Sequence, residues 1–351
     1  MKIRISIIGA SGYTGIELVR LLLQHPKVQI SHLISENNAG SEISSIFPHL
    51  THIINEMFSD IDLEMIAEDS DIVFLALPHG KSIDIIPKLI ENHCKVIDLS
   101  ADMRIKNVDI YKKWYQNYSI NEKLLCDAVY GLPEIYPHAQ INSASVIANP
   151  GCYPTATILA LAPLIKYDLI NFHNQPLIID AKSGISGAGK SLHKNTQFCE
   201  AINNFSAYQI GGIHRHIPEI EQELSKLAMQ TVQIQFTPHL IPTPRGMLIT
   251  AYCSLNNSIS LDKIKELYFE YYANKPFIRI MPATDRASIK SVIGSNYCDI
   301  YLYLDSRNNY LTVISCIDNL IKGAAGQAIQ NMNILSGMND FTGLQNIPIY
   351  I

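Results

Sequence analysis

No stretch of this 351-residue chain approaches the roughly 18 uninterrupted apolar residues that a membrane span needs. Disulfide chemistry is equally absent as a pattern. The seven cysteines (Cys94, Cys126, Cys152, Cys199, Cys253, Cys298, Cys316) are odd in number and far apart, and no CxxC pair occurs. That argues for reduced thiols in a cytoplasmic protein and against a disulfide framework or a zinc ribbon. Lysine and arginine form no cluster, and the formal net charge is -5, so nucleic acid has no electrostatic footing. Met1-Lys2-Ile3-Arg4 precedes an apolar run of only six residues, Ile5 to Ala10, before glycines begin, and a signal peptide is not expected. Internal repeats and low-complexity linkers are missing too. With 47% hydrophobic and 17% charged residues, the chain has core enough for two domains without covalent staples.

The stretch from Ser145 to Pro163 is the most informative part of what is present. Ser145 to Ala148 reads as a short strand, Asn149-Pro150-Gly151 as a turn, and the residues after Pro154 have helical spacing. Cys152 is therefore expected at the mouth of a helix, with Pro154 near its first position. Unpaired N–H groups there favour thiolate over thiol and can also hold an oxyanion, which makes Cys152 a candidate nucleophile for acyl chemistry. The plainer alternative is a small packing residue.

The first 150 residues alternate strand and helix. Lys2 to Ile8 is β-rich and Gly9-Ala-Ser11-Gly12-Tyr13-Thr14-Gly15 leads into a helical pattern. Strand, glycine turn and helix in that order predict a nucleotide-phosphate loop, although the spacing is GxxGxxG and not GxGxxG. A second strand, Val28 to Ile34, ends at Ser35-Glu36-Asn37-Asn38. An acid about twenty positions past the loop either binds ribose hydroxyls, favouring NAD, or points into solvent. Strands at Asp71 to Leu77 and Lys95 to Leu99, with a helix from Lys81 to Ile90 between them, complete the expectation of a doubly wound parallel sheet. At the carboxyl ends of those strands come His79-Gly80 and Ser100-Ala-Asp102-Met-Arg104. Arg104 is a candidate anion clamp; for His79 and Asp102 a turn or capping role is the simpler reading. Tyr111, Trp114, Tyr115 and Tyr118 read as a packed aromatic face.

Beyond Cys152 the pattern turns to α+β, built on a mostly antiparallel sheet. A strand over Leu177 to Ala181 opens into Lys182-Ser183-Gly-Ile-Ser186-Gly-Ala-Gly-Lys190, a small-residue loop suited to phosphate. In His214-Arg215-His216-Ile-Pro218-Glu219, Pro218 is expected to start a helix and Glu219 to reach an imidazole. The two histidines could instead ligate a metal, but no third ligand stands at metal-site spacing, so no metal is expected. Residues 232 to 253 alternate like strands broken at Pro238-His239 and at Pro242-Thr-Pro-Arg245-Gly246, where Arg245 is a second candidate anion clamp. A helix over Leu261 to Ala273, strands at Cys298 to Leu304 and Tyr310 to Cys316, and a last helix from about Asp318 to Leu335 complete the chain. The expected boundaries are 1–151, 152–317 and 318–351.

Eight stretches, in order and spread over nearly the whole length, resemble the N-acetyl-γ-glutamyl-phosphate reductases of arginine biosynthesis. They are GASGYTG at 9–15, LPHG at 77–80, DLSADMR at 98–104, YGLPE at 130–134, NPGCYPTA at 149–156, SGISGAGK at 183–190, HRHIPEI at 214–220 and DNLIKGAAGQA at 318–328. The resemblance implies Cys152 as nucleophile and, of the two histidines, His216 as acid/base; Arg104, Ser186, Arg245, His214 and Glu219 are the residues expected around substrate and phosphate. It implies NADP(H) held by Gly9, Ser11, Gly12, Tyr13, Thr14, Gly15 and Ser35. Asn319 is then expected near the nicotinamide, the last helix in the cofactor domain, and the protein as a homodimer or homotetramer. Glu36 is the departure: many members carry an arginine there, a natural partner for a 2′-phosphate. Ser35, Asn37, Asn38 and Ser41 remain as possible donors to that phosphate. Two other functions stay open, a sister reductase of aspartyl or carrier-linked aminoadipyl phosphate and a non-enzymatic dinucleotide sensor.

Overall fold

Unbroken apolar strands need cover on both faces, and the first half of the chain supplies it with crossover helices. A computed structural model describes residues 2–115, 121–172, 176–282 and 284–350; Tyr118 lies outside them. Among the described residues no helix is long and apolar enough to cross a membrane. Contacts divide the chain into two interleaved units: 1–108, 117–150 and 325–344 in the first, 109–116, 151–324 and 345–351 in the second.

The first unit carries a six-stranded, all-parallel sheet among the described residues. Its strands are β1 (Ile3–Ile8), β2 (Val28–Ile34), β3 (Ile72–Leu75), β4 (Lys95–Asp98), β5 (Val129–Tyr130) and β6 (Val146–Ala148), in the order β2-β1-β3-β4-β6-β5. The chain leaves β1 for β2 on one side and then crosses to β3 on the other, so the switch in direction falls between β1 and β3. Ile8, Val73, Leu75 and Val96 from the strands pack with Ile83, Ile86 and Leu89 from the helix Ser82–Glu91. Each such side chain contributes roughly 1.5–3 kcal/mol on burial.

The second unit is built on a mixed, mostly antiparallel sheet. Its strands are β7 (Leu177–Gly184), β8 (Ser206–Ala207), β9 (Ile234–Ile241), β10 (Met247–Ser254), β11 (Ile278–Ile280), β12 (Cys298–Asp305) and β13 (Tyr310–Ile317), in the order β11-β12-β13-β10-β7-β9-β8. Among the described residues β7 with β9 and β11 with β12 are the pairs that run in parallel. The helix Cys152–Lys166, buried continuously from Tyr153 to Ile165, packs on this sheet, and Ser315 of β13 donates to the Ala156 carbonyl at 2.8 Å. Pro163 inside that helix has no N–H for the carbonyl of Leu159. The Tyr272 hydroxyl supplies the missing donor at 2.6 Å.

Two expectations are corrected here. Pro238 does not interrupt a strand, for β9 runs through it. A residue's N–H and C=O leave a strand on the same side, and the Pro238 carbonyl accepts from Tyr208 N–H. The absent N–H therefore faces the short edge strand β8 and not β7, which is where a strand tolerates proline. The last helix is likewise not one continuous α-helix. Ile321–Ala325 forms a π-helical turn and the α-helix proper is Gly326–Leu335, with the passage between units falling at Ala325.

The helix Gly326–Leu335 is buried all round, and several of its amides are bonded within the first unit. Gln330 donates to Glu134 and Asp340, and Asn331 to the Gly131 carbonyl and the Asn149 side chain. A Cβ on Gly131 would lie 2.3 Å from the Asn331 amide nitrogen, which accounts for the glycine.

Candidate active site

The glycine loop of the first unit is built for close approach. Gly9 has φ +89°, and a Cβ there would stand 2.4 Å from the Ala76 carbonyl oxygen at the end of β3; one on Gly15 would stand 2.2 Å from the Gly9 oxygen. Gly9 and Ala10 N–H both donate to the Ile34 carbonyl, tying the loop to the end of β2. Gly12 caps the ten-residue helix Tyr13–Leu22 with extended backbone, no side-chain cap and no acid in the first turn. Thr14 and Gly15 lie in that turn, so its N–H groups and the positive end of the helix stay clear for a pyrophosphate. Ser11 and Ser35 share a hydrogen bond at 2.6 Å, and Asn38 donates to the Ser35 oxygen at 3.1 Å. Tyr13 is exposed beside them.

At the ends of β3 and β4 lies a buried carboxylate cluster. Asp102 accepts from Gly80 N–H at 2.7 Å and Ser82 N–H at 3.1 Å and pairs with His79. Asp98 accepts from the Ser82 hydroxyl and from Ser100; burial, reinforced by the charge of Asp102, pushes its carboxyl up to about 6. Arg104 is 5% exposed. Its Nε donates to the Asn149 carbonyl and one Nη to the Leu99 carbonyl, both at 2.8 Å, so this cation braces the turn that ends in Pro150.

In the second unit Cys152 is the first residue of its helix, with Gly151 as the cap, so the helix begins two residues before Pro154. Cys152 as a residue is partly exposed. Glu219, fully buried, accepts from Gly151 N–H at 2.8 Å, and thereby grips the residue before the nucleophile. On another side the π turn packs flat on it: a Cβ on Gly323 would lie 2.7 Å from the Cys152 Cβ.

Both histidines pack on the ring of Tyr153, the residue that follows the cysteine. That ring meets His214 at 5.5 Å and His216 at 5.8 Å between centroids, both edge-on, and the two imidazoles lie 5.0 Å apart. His214 Nδ1 accepts the His216 backbone N–H at 3.1 Å. Burial, then the charge of Arg215, pushes His214 down to about 4, which keeps it neutral and fit to accept. Its geometry is that of a support for His216. Tyr208, which the sequence reading passed over, donates its hydroxyl to that of Tyr153 at 3.1 Å. Burial pushes Tyr208 up to about 12 and Tyr153 higher still, so both stay protonated donors near the sulfur. No local pattern marks Tyr208; a tyrosine six residues before a His-Arg-His stretch has no spacing signature.

Asn319 is the hub of the loops expected to hold an anion. Its Oδ1 accepts from Gly246 N–H at 2.8 Å and its Nδ2 donates to the Ser186 hydroxyl at 2.9 Å. Ile185 and Ser186 N–H donate to the Thr243 and Pro244 carbonyls, closing the loop at 186 against the loop at 245. Arg245 pairs with buried Asp318 at 3.2 Å, which also accepts from Gly294 N–H. Ser186, Arg245 and Asn319 thus belong to one assembly in the second unit.

Two family models cover the chain: the semialdehyde dehydrogenase NAD-binding domain over residues 4–143 and the semialdehyde dehydrogenase dimerisation domain over 152–319. Among solved structures it is similar to an aspartate semialdehyde dehydrogenase II of Vibrio cholerae complexed with ASA, with TM-score 0.72 and 17% identity over 96% of this chain and 99% of that one. An aspartate semialdehyde dehydrogenase with NADP from Candida albicans gives TM-score 0.70 and 18% identity over the same shares. These establish the fold. Relatives named N-acetyl-gamma-glutamyl-phosphate reductase from Geobacter metallireducens, Citrifermentans bemidjiense and Acetivibrio thermocellus are 45%, 47% and 47% identical, each over 99% of both chains. On that likeness, end to end, the chain belongs to the N-acetyl-gamma-glutamyl-phosphate reductase family.

Proposed function

We propose that this chain reduces N-acetyl-L-glutamyl 5-phosphate to N-acetyl-L-glutamate 5-semialdehyde with release of inorganic phosphate, the reaction its relatives' name describes, as a step of arginine biosynthesis. The observation that carries the reading is Cys152 at the first position of a buried helix, with Glu219 holding the N–H of the capping Gly151 and His216 packed on the ring of the next residue, Tyr153. The helix start stabilises the thiolate. That sulfur attacks the acyl carbon, the carbon–oxygen bond to phosphate breaks, and a thioester forms on Cys152. Arg245 and Ser186 are the groups assigned to substrate and leaving phosphate, while Arg104, expected there from the sequence, is engaged by the Asn149 and Leu99 carbonyls.

Gly9, Ser11, Gly12, Tyr13, Thr14 and Gly15 would hold a nicotinamide dinucleotide, which when bound would supply the hydride for the thioester carbon. His216 gives its proton to the oxygen as negative charge builds there. It recovers that proton as the aldehyde forms and the carbon–sulfur bond breaks, returning Cys152 as thiolate. His214, held neutral, fixes the backbone of His216. Sulfur suits both halves, because a thiolate forms near neutral pH and leaves readily.

A homodimer or homotetramer fits an outer sheet face where Ile178 and Tyr252, paired in register, are each more than a third exposed. Seven free cysteines suit the cytoplasm. The test runs the reaction backwards with N-acetylglutamate semialdehyde, phosphate and oxidised dinucleotide. Phosphate-dependent reduction of the dinucleotide is expected; equal or better turnover of aspartate semialdehyde would overturn the substrate assignment.

A further inference from the structure

From Val28 to Gly80 the chain contains no lysine and no arginine, against nine acids: Glu36, Glu42, Glu56, Asp60, Asp62, Glu64, Glu68, Asp69 and Asp71. These 53 residues include all of β2 and the loop beyond it, the place where a parallel sheet of this kind reads the adenosine ribose. A 2′-phosphate is recognised there by a cation, and an unphosphorylated ribose by a carboxylate.

Topology keeps the nearest cations of the first unit away. Because the strands are parallel, Lys2, Arg4 and Lys27, at the starts of β1 and β2, lie at the edge opposite the glycine loop. Arg4 is also paired with Asp71, and Arg20, two turns into its helix, is bonded to Glu17. Lys81 follows β3, which adjoins β1 on the side away from β2.

The Ser35 hydroxyl, the first that might replace a cation, is turned inward. Ser35 is 4% exposed, and its oxygen is held by Ser11 and Asn38. Ser41 N–H donates to the Asn38 carbonyl, and Gly40 N–H to that of Phe58, which folds the loop back onto the acidic segment 56–60. Glu36, by contrast, is exposed on the first turn after β2. The pyrophosphate cradle fits a dinucleotide, but these residues do not fit a 2′-phosphate.

We infer that Glu36 is the residue that sets dinucleotide choice in this chain, accepting hydrogen bonds from the ribose hydroxyls, so that NAD(H) binds more tightly than the NADP(H) implied by the resemblance. The inference rests on the dinucleotide-dependent reaction proposed above.

Equilibrium binding tests it without turnover. The intact protein is titrated with NADH and with NADPH, and separately with ADP and 2′,5′-ADP, by calorimetry. NADH is expected to bind about tenfold more tightly than NADPH, as one like-charge contact at the surface predicts, with the gap narrowing as salt rises. ADP should bind more tightly than 2′,5′-ADP by a similar factor. Because Glu36 is exposed, Glu36→Gln and Glu36→Arg leave the fold alone; the first is expected to narrow the gap and the second to reverse it. Tighter NADPH than NADH in the unaltered protein overturns the inference while leaving the reductase reading in place. If neither dinucleotide binds, both are overturned.

Discussion

A single buried imidazole shows how side-chain chemistry is set by its surroundings here. His214 is held neutral by burial and accepts the backbone N–H of His216. Its value falls from the ordinary 6.5 to about 4 on folding, so the unfolded chain takes up the proton first as pH drops. Stability from this residue is complete above pH 6.5 and is lost as pH falls from 6.5 to 4. The loss approaches roughly 3 kcal/mol. Replacing His214 with Gln is expected to flatten that part of the stability–pH curve in urea unfolding. An unchanged slope would contradict the neutral assignment. Asp98 opposes it, since a carboxyl raised to about 6 withdraws stability as pH rises from 3.8 to 6. The sequence placed Cys152 at a helix start because strand, turn and proline are neighbours in the chain. It could not show that Glu219 accepts from Gly151 N–H, a bond between residues 68 positions apart.

Among the elements, the π turn at Ile321–Ala325 is the one most closely fitted to the nucleophile. Its extra residue per turn places Gly323 flat against Cys152, where a methyl group would arrive at 2.7 Å from the Cβ. Gly323→Ala is expected to slow alkylation of Cys152 and to lower kcat/KM about tenfold or more, since an ångström of misplacement at a reacting atom is costly. Circular dichroism should show the variant folded. Full activity in the variant would mean that the π turn does not hold the sulfur. This element was not legible beforehand: Leu320, Ile321, Ala324, Ala325 and Ala328 suit an uninterrupted α-helix, and a single inserted residue leaves no trace in such periodicity. The same limit explains Pro238. A proline reads as a strand breaker until the neighbour on its N–H side is known.

For the whole molecule, composition and order of elements carried most of the architecture, because parallel and antiparallel sheets write different patterns of burial along a strand. Interleaving carried less well. The segment 109–116 belongs to the second unit although it lies within the first unit's stretch of sequence, and nothing in its residues announces that. The account's central claim is covalent: one sulfur takes the acyl group before any hydride arrives. Incubating the protein with N-acetylglutamyl phosphate and no dinucleotide, quenching in acid and mapping peptides by mass spectrometry tests it directly. The expected result is one N-acetylglutamyl group on the peptide containing Cys152, released by hydroxylamine and absent from Cys152→Ser. Phosphate release without acylation of Cys152, or a Cys152→Ser protein that still forms aldehyde at the original rate, would contradict it.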